Sequence, residues 1–323
     1  MIDKNIEKRQ KTIFPIEMRK EIRQFQKRNN WYNFFSILLD WGIIAGSVTL
    51  WCFFQNPFVY VLSIILIGSR MRGLDNLTHE ASHGMLFKNR VLNKWMSCFF
   101  TAFPVFTSFT TYVKGHSNHH TYLWDYEKDP DAPRLREMGL SKPVENPVKF
   151  WVSHVLRPVF LVHVPKYIKG TIQTNLSPKG EPRSETIART IFWLIIISCS
   201  VIFNFWQLIL MFWIVPLVTT FQIIRYWSEM SDHGGLESDH DLEATRNSFG
   251  NPIERFLIHP HHDYYHLVHH LFPGIPHYNL AKVHRILMRD DNYASAHHCM
   301  GYFVRFAEGF DSVIDSVQGK RRA

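Results

Sequence analysis

The residues His79-Glu80-Ala81-Ser82-His83 put two imidazoles four positions apart, so that on a helix both project from one face. With a glutamate beside the first histidine this is the pattern of zinc proteases, in which Glu80 would be the general base. Two further clusters share a different spacing, His116-Ser117-Asn118-His119-His120 and His266-Leu267-Val268-His269-His270. On a helix, residues three and four positions on straddle the first at about −60° and +40°, so each cluster opens a small fan in which adjacent histidines diverge. One fan can therefore feed two metal ions. A single tetrahedral zinc takes three or four protein ligands, whereas the three clusters offer eight imidazoles, a dinuclear count.

These clusters must be positioned by something, and the hydropathy pattern indicates what. Between Trp31 and Phe54 the only charge is Asp40, between Pro57 and Ser69 there is none, and Thr190 to Ile224 is again free of charge. A helix needs about 20 apolar residues to cross a bilayer, which predicts spans near 31–54, 57–77, 187–205 and 207–227, arranged as two hairpins. The second span leaves its apolar stretch at Arg70 and the fourth at Arg225. If both helices continue, His79 and His233 lie about 12 to 14 Å beyond that level, at the same depth. His233 is thus a ninth candidate ligand, and Glu229, one turn before it, is a candidate partner of the site or of a water held there. Two weaker apolar stretches, 95–113 and 148–165, carry Pro104 and Lys149 with Arg157 respectively, and are expected to be interfacial or re-entrant.

The turns at Gln55-Asn56-Pro57 and Asn204-Phe205 carry no basic residue, while the other segments carry all 36 lysines and arginines of a chain with net charge +8. The positive-inside rule then places the N-terminus, the central segment and the C-terminus in the cytosol. The basic balance is read as membrane topology, and no nucleic-acid partner is expected. The first 30 residues are too charged for a secretory signal and read as a cytosolic amphipathic helix. Cys52, Cys98, Cys199 and Cys299 are too dispersed for a disulfide framework or a CxxC metal knuckle.

Taken together, HEASH followed by Gly84, GHSNHH followed by Asp129-Pro130-Asp131, and HLVHH followed by LFPGIP resemble the membrane fatty acid desaturase and hydroxylase superfamily, over roughly residues 31–290. Arg246-Asn247 and the Pro273–Pro276 segment resemble its bacterial acyl desaturase branch. The resemblance implies an all-α integral membrane protein of the bacterial inner membrane, with four transmembrane helices under a cytosolic helical cap. It implies two iron ions held by His79, His83, His116, His119, His120, His233, His266, His269 and His270, with dioxygen as co-substrate and no catalytic group beyond these ligands. The domain reading is a cytosolic N-terminal segment 1–30, a membrane catalytic domain 31–290 and a cytosolic C-terminal segment 291–323. Where some relatives carry Asn or His four residues before the fourth-helix ligand, this chain has Glu229.

The expected reaction is desaturation of an acyl or similar long alkyl chain, consuming two electrons and two protons and releasing two waters. Hydroxylation or oxidative decarboxylation by the same ligands is the rival within the class. An intramembrane zinc protease and a metal transporter are the rivals outside it. Asp129 and Asp263 beside the second and third clusters could hold the outer nitrogens of ligand imidazoles, as could Asp125 and Asp131. His154, His163, His240, His259, His277, His284, His297 and His298 lack a paired spacing tied to a span end and are expected to be surface or hydrogen-bonded residues. His261 and His262 could extend the third fan but are left out of the ligand set. No Gly-rich dinucleotide fingerprint or iron–sulfur cysteine set is present, so a separate ferredoxin-like donor is expected, together with contact to membrane lipid.

Overall fold

The computed structural model describes residues 10–175 and 180–320. The stretch 1–9 of the expected N-terminal helix lies outside the described residues. Among the described residues, four helices are long and apolar enough to cross a membrane: Asn30–Phe54, Pro57–Ser82, Arg183–Ile202 and Trp206–His233. The chain divides into two compact units, one of Met1–Lys27, Lys114–Val155 and Trp227–Ala323, the other of Arg28–Val113 and Leu156–Tyr226.

In the second of these units, the first hairpin begins where Asn29 caps the helix, its side chain accepting from the Trp31 and Tyr32 amides. It turns through Gln55 in the left-handed region and restarts at Asn56, which caps Pro57 at the first helical position. The lone charge of the first span is not exposed to lipid. Asp40 accepts from Arg70 of the second span at 3.1 Å, and both side chains are buried. A charge in a membrane-spanning segment is tolerated only when paired in this way. Gly73 is required beside the pair, because a Cβ there would lie 2.6 Å from the Asp40 carboxylate.

The fourth span is not a uniform α-helix. A wide turn over Leu210–Ile214 precedes Pro216, and the backbone breaks at Thr219 before a regular helix resumes over Thr220–His233. Proline has no amide to donate and its ring crowds the preceding turn, which accounts for the widening. Thr220 meets the break by donating its hydroxyl to the Ile64 carbonyl at 2.6 Å, against a second span that has Gly68 at the contact.

The weaker apolar stretches form no continuous span. The first passes from Arg90–Ser97 through a wide turn at Cys98–Ala102 and a tight one at Phe103–Val105, then reverses at Phe106 with φ 61°. Indole groups satisfy carbonyls of this irregular backbone, Trp41 donating to Phe100 and Trp213 to Pro104, each at 2.9 Å. The second is broken at Leu161, with φ 59°.

In the first unit, Ile16–Arg23 packs Ile22 into a core with Leu242, Ile275, Leu280, Val283 and Ile286. That core also receives Leu267 and Val268, the two apolar residues inside the third histidine cluster, so the back of the cluster is anchored in oil while its imidazoles face the other way. The all-helical expectation is corrected in one detail. Two short strands, Asn247–Phe249 and His298–Met300, pair in parallel, with Asn247 opposite His298.

Candidate metal centre

The second cluster lies on the helix Phe109–Tyr122 and the third on His266–Leu271, while His233 is the last residue of Thr220–His233. His79 lies in the last turn of Pro57–Ser82 and His83 at its end, with their rings 5.3 Å apart. The continuation of the second and fourth apolar helices to these histidines is what the sequence spacing requires.

In the first unit, the imidazoles converge in two groups. The Nε2 atoms of His119 and His233 are 3.2 Å apart, those of His233 and His266 3.1 Å, and those of His266 and His270 3.1 Å. A second group is formed by His116, His120 and His269, with the His120 Nε2 2.9 Å from the Nε2 atoms of both others. Neighbouring histidines go to different groups, their rings inclined by 82° for His119 and His120 and by 87° for His269 and His270. Each fan therefore feeds two sites.

Hydrogen bonds orient two imidazoles of the first group. His119 Nδ1 faces Asp129 Oδ1 at 3.0 Å, and Asp129 is itself held by the amides of Trp124 and Asp131. His233 Nδ1 faces the Ala244 carbonyl at 3.0 Å. A carboxylate and a carbonyl only accept, so each imidazole carries a proton on Nδ1 and turns Nε2 towards the other ring. Two Nε2 atoms 3.2 Å apart can share a metal ion or a proton. Imidazole nitrogens bound to one ion at about 2.1 Å stand about 3.0 to 3.4 Å apart for octahedral to tetrahedral angles, which matches the first group, while the second is slightly tighter at 2.9 Å. The residues present thus fit a metal ion, and the carboxylate–histidine pairing is the usual way of orienting such a ligand.

Burial disfavours the imidazolium form of His119, but the Asp129 hydrogen bond and the charges of Asp131 and Asp129 outweigh it and raise its pKa. The field that would favour an imidazolium equally favours a metal cation. His270 lies well below the ordinary histidine range, through burial first and then repulsion from His120, His266, His233 and His119, so it stays neutral and able to ligate at pH 7. Asp129→Asn is expected to lower metal affinity about 10- to 100-fold with the fold retained, measured as iron retained after dialysis against a chelator.

Glu229 is linked to His119 through Arg134 and Asp131. It accepts from Arg134, which also holds Asp131 at 2.7 Å, and Asp131 in turn lies 3.5 Å from His119 Nδ1. Asp263 accepts from Ser228 at 3.1 Å and lies 3.8 Å from His259. Asp125 caps a turn, its side chain accepting from the amides of Glu127 and Lys128. His262 lies 3.3 Å from His277, and both His261 and His262 are in the left-handed region, outside the two groups.

Sequence reasoning gave Arg246 and Asn247 no structural role. Arg246 is fully buried and donates to the carbonyls of Met230, Ser231 and Gly234, neutralising the C-terminal end of the helix that carries His233. Its own carbonyl accepts from the Leu267 amide, and Asn247 Oδ1 from that of Val268, so one dipeptide ties His233 to the third cluster.

The comparisons with known proteins agree with this construction. The family model described as fatty acid desaturase matches residues 55–303. A dihydrorhizobitoxine desaturase of Bradyrhizobium elkanii is 33% identical over 297 residues, covering 88% of this chain and 84% of the relative. A ferredoxin-dependent sn-1 acyl-lipid omega-3 desaturase of a Synechocystis strain is 22% identical over 258 residues, covering 76% and 71%. Apolar helices of spanning length, histidines paired for metal and a match over most of the chain identify it as a member of the fatty acid desaturase family.

Proposed function

We propose that the protein introduces a double bond into a fatty acyl or similar long alkyl chain, using dioxygen at a centre of two iron ions held by the nine histidines. The observation that carries this reading is the pair of convergent imidazole groups, the first with His119 and His233 oriented by Asp129 and the Ala244 carbonyl, in a chain of the desaturase family. His119, His233, His266 and His270 would hold one ion. His116, His120 and His269 would contribute to the other, and His79 and His83 are the remaining candidate ligands on the sequence spacing. The metal pair supplies the oxidising power needed to remove hydrogen from an unactivated carbon. The chain's own residues do the rest: Asp129 and the Ala244 carbonyl keep the Nδ1 protons of His119 and His233 in place, and the apolar back of the third cluster keeps its imidazoles from turning away.

The relatives' names differ in substrate, one naming dihydrorhizobitoxine and the other an acyl lipid. The functional test therefore covers lipids, extractable hydrocarbons and the water-soluble fraction of expressing cells, analysed by mass spectrometry with and without oxygen. A new double bond in a long-chain product, formed only with oxygen, is the expected result. An oxygen-18 label retained in an alcohol would indicate hydroxylation instead, and loss of the terminal carboxyl would indicate decarboxylation.

All three histidine boxes are proposed to face the cytosol of the bacterial inner membrane, since the two hairpin turns lack basic residues. Cysteines introduced at Asn118 and Val304, which are exposed, should react with an impermeant maleimide only from the cytosolic side. Labelling from opposite sides would refute this topology.

Electrons are proposed to come from a separate acidic ferredoxin-like protein drawn to the basic surface and weakened by salt over a Debye length of about 8 Å. Lys282 and Arg285 are exposed on the helix Leu280–Leu287 and suit that role. Arg134 does not, because it is engaged with Asp131 and Glu229. Charge reversal at Lys282 and Arg285 should slow reduction by the donor several-fold at low salt with iron content unchanged. An unchanged rate together with salt-independent reduction would overturn the docking reading.

A further inference from the structure

Behind the third cluster lies a group of side chains that the desaturase reading does not use. Asp232, His259 and Asp263 are buried, with 4%, 1% and 9% of their surface exposed, and one ligating atom from each lies within 4.8 Å of the others. His259 follows Pro252–Leu257 and Asp263 lies in the tight turn Pro260–Tyr265, so the third box's own lead-in segment brings both to the Asp232 end of the fourth helix.

Neither ring nitrogen of His259 has a hydrogen-bond partner among the described residues, and its side chain is wholly buried. Leaving a buried nitrogen unpaired is unfavourable, so a native fold retains such a group when something outside the protein satisfies it. Asp263 Oδ2 is 3.8 Å from His259 Nδ1, too far for a hydrogen bond but within the span of two ligands on one ion at about 2.1 Å each. The Ser228 hydroxyl on Asp263 and the Ser231 hydroxyl on Asp232, at 3.1 and 3.3 Å, orient the two carboxylates beside the unpaired imidazole of His259.

We infer that Asp232, His259 and Asp263 form a further metal site, taking one divalent transition-metal cation and distinct from the two imidazole groups. A donor set of two carboxylates and one imidazole suits Mn2+, Fe2+ or Zn2+. Asp232 Oδ1 also lies 3.8 Å from His266 Nδ1, so a cation here braces the carboxylate that faces a histidine of the first group. The inference stands on these three residues and does not require that the histidine groups hold iron.

The test compares purified full-length protein with its Asp263→Asn and His259→Gln variants, all dialysed against micromolar Mn2+ and then analysed for every divalent metal per chain. Wild type should carry one metal ion per chain more than either variant, whatever the histidine groups contain. Folding of the variants is checked by their elution and by the iron they retain, and Asp263→Asn preserves the shape of the side chain. Equal metal content in wild type and a folded variant would overturn the inference and leave the site to water. A failure of the two-iron reading would show separately, as missing iron in all three proteins alike.

Discussion

Replacing His270 by alanine is expected to remove iron and lower turnover by more than about 100-fold, beyond the 10- to 100-fold range typical of residues that only orient a ligand. His270 points its Nε2 at that of His266, 3.1 Å away, and its ring packs 4.3 Å from that of His120 in the other group. Its loss therefore opens one group and removes a wall of the second. His119→Ala should behave in the same way, because the inward Nε2 and the Asp129 contact disappear together. In both variants metal and activity should fall in parallel, by plasma mass spectrometry and by product analysis. Full iron with lost activity would mean that these imidazoles are not ligands.

The second large effect is expected far from any reacting atom. Arg246→Leu leaves the carbonyls of Met230, Ser231 and Gly234 buried without their shared donor. Hydrogen bonds to a charged group contribute about 1.5 to 3 kcal/mol each, so a loss of at least about 3 kcal/mol is expected, read as a lower unfolding midpoint in detergent and as iron loss on warming. Arg246→Lys should recover only part, since one ammonium cannot reproduce a planar fork spread over three acceptors. A midpoint within about two degrees of wild type in Arg246→Leu would show that the guanidinium does not hold the end of the His233 helix.

What could be read from the sequence and what could not have different physical origins. The spans are legible because length and lack of charge are local properties, and the boxes because helical spacing alone decides which imidazoles share a face. The continuation of the helix to His233 followed from the matched depth of His79 and His233. The break at Thr219 could be suspected only from Pro216. Arg246 and the Ala244 carbonyl act through irregular loop backbone, and the parallel pairing of Asn247–Phe249 with His298–Met300 joins segments far apart in the chain; none of these carries a periodic signal. Glu229 shows the same limit from the other side. Its position one turn before His233 suggested a partner of the site or of a water held there, and the Arg134 contact of its carboxylate is one that only the folded chain brings to it.

The family membership constrains the chemistry to oxidation of a substrate, and the site constrains it further through charge. A zinc protease would rest on His79, Glu80 and His83 and would have no use for Asp129 behind His119 or for the seven imidazoles gathered in the first unit. Glu80→Gln would abolish activity in such an enzyme while His266→Ala would spare it. The present account requires the second half of that pattern to fail.

The most direct measurement is the metal content of the full-length protein purified from iron-supplied cells, determined together with oxygen-dependent product formation. About two irons per chain, both lost with turnover in His119→Ala, is the predicted result. One zinc per chain, no iron, and activity that persists without oxygen would contradict it.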